Sequence, residues 1–260
     1  MSELWDDLPE TESFPHIQVK LSPRQYRERL AENPELGATW VRDAALSGLP
    51  EAQVGLGHIL LDGYGVERDP VSAVRWFELA AQQDNPDAFN MLGRCHECGW
   101  GVAPDAVEAA LWYERAAAKG HDWAQFNLAC LILATQGWDA GLPRALSLLV
   151  ASARAGNPKA KNMIGDLREK GWAGAPKLRS AALWYRWAAE GGCYRGQFHH
   201  ARFLLRAGKI GEAKRWFRSS LRQAPPDFAG EARDILRGHH TERVRAIAEE
   251  QLGRSQERVA

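Results

Sequence analysis

The segment Cys95-His96-Glu97-Cys98 places two thiols at i and i+3. On a helix that spacing could present both to one metal ion or let them exchange a disulfide. A four-ligand zinc site would need two further donors, and Cys130 and His58 stand nearest by position. Packing is the plainer reading, since a free cysteine usually behaves as a small buried hydrophobe. His199-His200 and His239-His240 are adjacent pairs, and adjacent helical residues point apart, so neither pair chelates by itself. Gly63-Tyr64-Gly65 and Gly99-Trp100-Gly101 invite comparison with phosphate loops. Such loops follow a strand, open a helix and carry Lys-Ser/Thr or a third glycine in register; here the glycines join helix to helix. No Gly-x-Ser-x-Gly elbow and no His-Glu-x-x-His pair occurs. The expectation is a chain without catalytic residues, cofactor or metal, in which Cys95 and Cys98 are the weak metal or redox candidates.

The elements that would position any such residue follow from self-similarity. Ala52, Ala88, Ala124 and Ala160 recur every 36 residues, and Gly196 continues the series. Leu56, Leu92, Leu128 and Ile164 keep the same period, as do Ala73, Ala109, Ala145 and Ala181. Trp76, Trp112, Leu148 and Trp184 hold another phase. Within a unit, apolar residues recur at three and four, as one face of a helix requires. Helix A therefore runs from about residue 52 to 61, and from 88 to 97. It ends at Gly63, Gly99 and Gly171, and second glycines at 65, 101 and 137 allow the reversal. Helix B runs from Pro70 to Gln82 and from Asp105 to Lys119, with Pro and Asp near its start. Small residues let the helices approach, and the tryptophans of the Trp76 phase are expected to fill the space between units. One unit cannot bury its own apolar face, so stacking supplies the core.

These residues resemble a known family. Leu56-Gly57, Gly63-Tyr64-Gly65-Val66, Asp69, Ala73, Trp76-Phe77 and Ala80-Ala81 look like a Sel1-like repeat, a relative of the tetratricopeptide repeat. A second copy runs from Met91-Leu92-Gly93 through Gly99-Trp100-Gly101-Val102, Asp105, Ala109 and Trp112-Tyr113 to Ala116-Ala117. The third copy has Leu148 in place of the tryptophan, the fourth has Ala173 in place of the second glycine, and the fifth resembles a tetratricopeptide unit more. The resemblance implies an all-α, right-handed α-solenoid of stacked antiparallel helix pairs. The expected organisation is an extended or disordered acidic arm (1–20), a divergent first repeat (21–51), four Sel1-like repeats (52–87, 88–123, 124–159, 160–195), a tetratricopeptide-like repeat (196–225) and C-terminal capping helices with a tail (226–260).

By the same resemblance, helix A lines the concave face. The ligand-facing positions then include His58 and Asp62 in the first copy, and Asn90, Arg94 and Glu97 in the second. Phe126 and Asn127 follow in the third, Asn162, Asp166, Glu169 and Lys170 in the fourth, and Phe198, His199, Arg202 and Arg206 in the fifth. Tyr64, Trp100 and Trp172 share a loop phase and form a possible second contact edge, the alternative being that each ring plugs its own unit. Acidic Glu51, Asp62 and Asp87 toward one end and basic Lys159, Lys170, Arg195, Arg202 and Arg206 toward the other suggest a polarised groove.

Overall, 33 Lys and Arg balance 33 Asp and Glu, which lowers the expectation of nucleic-acid binding. No apolar stretch reaches membrane-spanning length and the N-terminus lacks a leader's pattern. Four irregularly spaced cysteines suit a reducing cytoplasm. The favoured function is a non-catalytic scaffold or adaptor binding a peptide or protein. The alternatives are a metal-binding or redox-responsive repeat protein using Cys95 and Cys98, and, third, an enzyme.

Overall fold

The computed structural model describes residues 33–172, 174–238, 242, 245 and 246. The acidic arm, residues 21–32 of the first expected repeat, Ala173, His239-His240 and most of the second expected capping helix (244–252) lie outside the described residues. By compactness the chain divides into two units, residues 1–124 and 125–260. Among the described residues the regular structure is all helix. In the first unit α1 spans Pro34–Leu46, α2 Pro50–Asp62, α3 Pro70–Gln82, α4 Pro86–Cys98 and α5 Ala106–Ala118. Helix α6, Asp122–Arg154, lies almost wholly in the second unit. There it is followed by α7 (Pro158–Lys170), α8 (Leu178–Glu190), α9 (Tyr194–Arg206), α10 (Ile210–Gln223) and α11 (Pro226–Arg237). Successive helices pack as neighbours: α2 on α3 and α4 on α5 in the first unit, α7 on α8 and α9 on α10 in the second.

Each boundary has a chemical cause. Proline is the first residue of α2, α3, α4 and α7, where its missing N–H costs nothing. Asp69 accepts from the Ser72 amide at 3.0 Å and Asn85 from Ala88 at 3.0 Å. Asp105 accepts from Val107 at 2.8 Å, and Asn157 from Lys159 at 3.0 Å. Where the repeat has His121, its Nδ1 does the same work, accepting from the Ala124 amide at 3.0 Å. Helices α2, α4 and α7 stop at Gly63, Gly99 and Gly171 in left-handed conformation, as the glycine spacing predicts. The third copy differs because Thr135 replaces the first glycine: α6 runs on and is broken at Gly137 (φ 76°, ψ 171°). In the fourth, Gly174 makes the positive-φ step (106°) one residue after Ala173.

The packing corrects one expectation. The aromatic that fills the core is the residue after the tryptophan. Phe77, Tyr113 and Tyr185 are fully buried, whereas Trp76, Trp112 and Trp184 are half-buried. The reason lies on helix A. A Cβ on Gly93 would stand 2.5 Å from the Tyr113 ring, and one on Gly165 2.6 Å from Tyr185, while Gly57 is pressed by Phe77 in the same way. Each ring occupies the notch its glycine leaves. One step of about 100° further round helix B, the indole reaches the edge of the contact. There Trp112 stacks on Phe89 at 5.9 Å under the Arg115 guanidinium.

Candidate functional site

The expected ligand-facing residues separate by burial. Position two after the unit's first small residue faces inward in four of the five copies, Phe126 of the third being half-buried. Asn90 and Asn162 are buried, and Phe198 is 3% exposed. Phe198 packs edge-on against Phe217 (5.2 Å) and Phe228 (5.7 Å). It is therefore core, and the expectation that it meets a partner is corrected. His58, Arg94, Phe126, Asn127, Asp166, His199 and Arg202 are half-buried, while Asp62, Glu97, Lys170 and Arg206 are exposed.

In the second unit the structure gathers several of these with a residue that the sequence reading missed, Tyr185. Its hydroxyl lies 2.7 Å from Asp166 Oδ1 and 2.8 Å from Glu169 Oε2, so one proton is shared between two carboxylates. Burial, followed by those carboxylates, pushes the phenol far above its ordinary range. Glu169 Oε1 faces Arg202 Nη2 at 3.2 Å and Arg206 Nη1 at 3.6 Å. Burial would raise Glu169, but the Tyr185 hydroxyl, the two arginines and His199 outweigh it and hold the carboxyl below its usual value. Arg202 Nη1 also stands 2.8 Å from His199 Nδ1. A guanidinium can only donate, so Nδ1 accepts and the ring proton sits on Nε2, 3.8 Å from Asp166 Oδ1. The imidazole stacks on Tyr185 at 4.7 Å.

Asp166, Glu169 and His199 bring ligand-type atoms within 4.8 Å of one another, a metal-like trio among the described residues. Their surroundings do not suit a cation. Glu169 already faces both guanidiniums, and the two carboxylates with the two arginines make the cluster formally neutral. A metal on His199 Nε2 would also move the ring proton to Nδ1, where Arg202 donates. Acid–base chemistry fares no better, since the Tyr185 proton is held more tightly than in water and His199 offers no lone pair toward the carboxylates.

His199 makes the cluster pH-sensitive. Burial lowers its pKa to about 4 from 6.5, with Arg202 and Arg195 adding to the effect and Asp166 and Glu169 opposing it. The folded value lies below the unfolded one, so protons favour the unfolded chain. Stability is full above about pH 6.5 and falls as pH drops toward 4, by up to about 3 kcal/mol. Glu169's contribution is lost separately, as pH falls through its lowered folded value. His199→Gln should flatten the dependence of unfolding free energy between pH 6.5 and 4; an unchanged slope would assign it to other groups.

A simpler version of the arrangement sits in the first unit, where the Tyr113 hydroxyl donates to Glu97 Oε2 at 2.6 Å. Tyrosine and glutamate occur together: Tyr113 with Glu97, Tyr185 with Glu169. Phe77 and Leu149 stand sixteen residues after Leu61 and Leu133 instead. That pairing was the available signal, a buried phenol demanding an acceptor on the facing helix.

The cysteine pair lacks the marks of a metal or redox site. Burial pushes the Cys95 thiol up to about 12 and raises Cys98 as well, the reverse of what a thiolate ligand or nucleophile needs. The loop aromatics divide. Tyr64 is 44% exposed and Trp172 47%. Trp172 lies 4.3 Å from Trp138, itself missed by the sequence reading, and beneath Lys170. Trp100 is half-buried against the first unit's core, with Arg94 over its ring.

Helix pairs repeated at one period, three of them with a glycine notch filled by the partner helix's aromatic ring, define an α-helical repeat protein. Sel1 repeats occupy residues 50–85, 86–121 and 158–193, so the chain carries three Sel1 repeats. No curated protein matches it in sequence. Among solved structures it is similar to a Sel1 repeat protein from Oxalobacter formigenes, at 20% identity over 88% of this chain and 98% of that one, TM-score 0.72. It is also similar to immunity protein Pa5087 from Pseudomonas aeruginosa, at 17% identity over 80% and 84%, TM-score 0.56. At these identities the likeness is one of fold. No helix among the described residues is long and apolar enough to cross a membrane.

Proposed function

We propose that the chain is a non-catalytic scaffold that holds a peptide or protein segment against its helix-A faces, α2 and α4 in the first unit and α7 and α9 in the second. Sel1 repeats commonly serve as protein-interaction scaffolds. The observation that carries the reading is the pinned cluster of the second unit. Asp166, Glu169, His199 and Arg202 are half-exposed polar groups whose rotamers are fixed by one another and by buried Tyr185. Side chains ordered in advance lower the entropic cost of binding, and their balanced charges leave no reactive group. The four cysteines form no disulfide among the described residues, which suits a reducing compartment such as the cytoplasm. Burial raises the Cys95 and Cys98 thiols, which counts against the metal or redox reading of that pair.

Site-specific photo-crosslinking in the host tests this without disturbing the core. A photoreactive residue at Cys98 or Lys170, both exposed on helix A, should capture a polypeptide other than the chain itself. The same residue at Glu78 or Arg186, exposed on helix B, should not. Capture confined to the helix-B positions, or at none, would overturn the proposal.

A further inference from the structure

The chain's neutrality holds for neither unit. Residues 1–124 contain ten Lys and Arg against 21 Asp and Glu, a formal charge of −11; residues 125–260 contain 23 against 12, a charge of +11. The second unit therefore carries a strong positive charge that the neutral total conceals.

The sign reverses at identical helix positions. The second residue is Glu51 in α2 and Asp87 in α4, but Lys159 in α7 and Arg195 in α9. The last residue is Asp62 in α2, but Lys170 in α7 and Arg206 in α9. All of these are exposed. First and last charges are eleven residues apart, close to three whole turns, so they lie on one helix face. Some already touch neighbours in their own unit: Asp87 the His121 Nε2 at 2.9 Å, Arg195 the Phe228 ring, Arg206 the Glu169 carboxylate.

Three placements oppose the helix's own field. Lys159 and Arg195 put cations at the positive N-terminal end, and Asp62 puts an anion at the negative C-terminal end. Local preference would reverse all three, so helix stability does not account for the charge pattern. The partner chemistry is supplied by the chain itself. Glu51 to Asp87 and Lys159 to Arg195 are each one 36-residue step, so a second copy offers the opposite charge at the same repeat spacing.

We propose that the acidic face of α2 and α4 in one chain docks against the basic face of α7 and α9 in a second copy. Every chain carries both faces, so each of two copies offers the other a complementary partner. The contact rests on the reading of helix-A faces as binding surfaces, but it is read on purified protein, so its failure is distinct from a failure to crosslink other polypeptides.

Sedimentation of the full chain at about 50 mM and about 500 mM salt tests it. A dimer is expected at low salt and a monomer at high salt. Lys159→Glu with Arg195→Glu should be monomeric at both while remaining folded, since the gain in the helix field offsets the lost contact of Arg195 with the Phe228 ring. Glu51→Lys with Asp62→Lys, which leaves the Asp87–His121 contact intact, should also be monomeric. Mixing the two variants should restore the dimer, since each unit again meets its opposite. A wild-type monomer at low salt, a dimer undiminished in either variant, no recovery on mixing, or association only on adding a nucleic acid would each overturn the proposal.

Discussion

Tyr185→Ala is expected to cost roughly 3–5 kcal/mol of stability, the range for emptying a large buried aromatic site. The ring is fully buried, fills the notch at Gly165, and contacts His199 and Phe203 at 4.7 and 5.6 Å. Its removal also withdraws the proton shared by Asp166 and Glu169, leaving two partly buried carboxylates to repel. The neighbouring Trp184→Ala removes a larger side chain but should cost less, about 1–2 kcal/mol, because the half-buried indole gains less from folding. It keeps one edge-on contact, to Trp187 at 5.0 Å. Chemical denaturation of the two variants checks the order. A greater loss for Trp184→Ala would restore the expectation that the tryptophan phase fills the space between units.

That order was not legible from periodicity. Trp184 and Tyr185 are adjacent and both recur at 36 residues, so a column of similar residues cannot say which one turns inward. The decision belongs to Gly165, on another helix. The element ends were legible because they depend on local chemistry: Pro70 and Asp69 at a start, Gly63 or Gly99 at a stop. The site was partly legible. Asp166, His199 and Arg202 follow from repeat position, whereas the Tyr185–Glu169 contact is visible only by comparing across helices, Tyr113 with Glu97 against Phe77 with Leu61. Phe198 was misplaced because its position shares the helix with the ligand-facing ones yet points into the core, as Asn90 and Asn162 also do. The charge ladders were glimpsed as a polarised groove, but their opposition to the helix field needed the helix ends to be fixed first.

The loop glycines give the second large effect. Gly101→Ala should cost roughly 3–5 kcal/mol, from two independent causes. Gly101 has φ +74°, a left-handed conformation that costs an L-residue about 1–2 kcal/mol. An added Cβ would also meet the Pro70 carbonyl and come within 2.9 Å of the Val71 amide nitrogen. Those are main-chain atoms at the start of α3, which cannot swing aside as a side chain would, so the loop or the helix must move. Gly120 isolates the first cause. Its φ is +84°, but nothing lies within 4 Å of where a Cβ would stand. Gly120→Ala should therefore show the conformational cost alone, about 1–2 kcal/mol. The difference between the two variants in denaturant unfolding measures the close approach of the α4–α5 loop to α3. Equal losses would mean that the loop yields freely, and that the second glycine of the repeat is kept for its backbone conformation and not for the contact between neighbouring repeats.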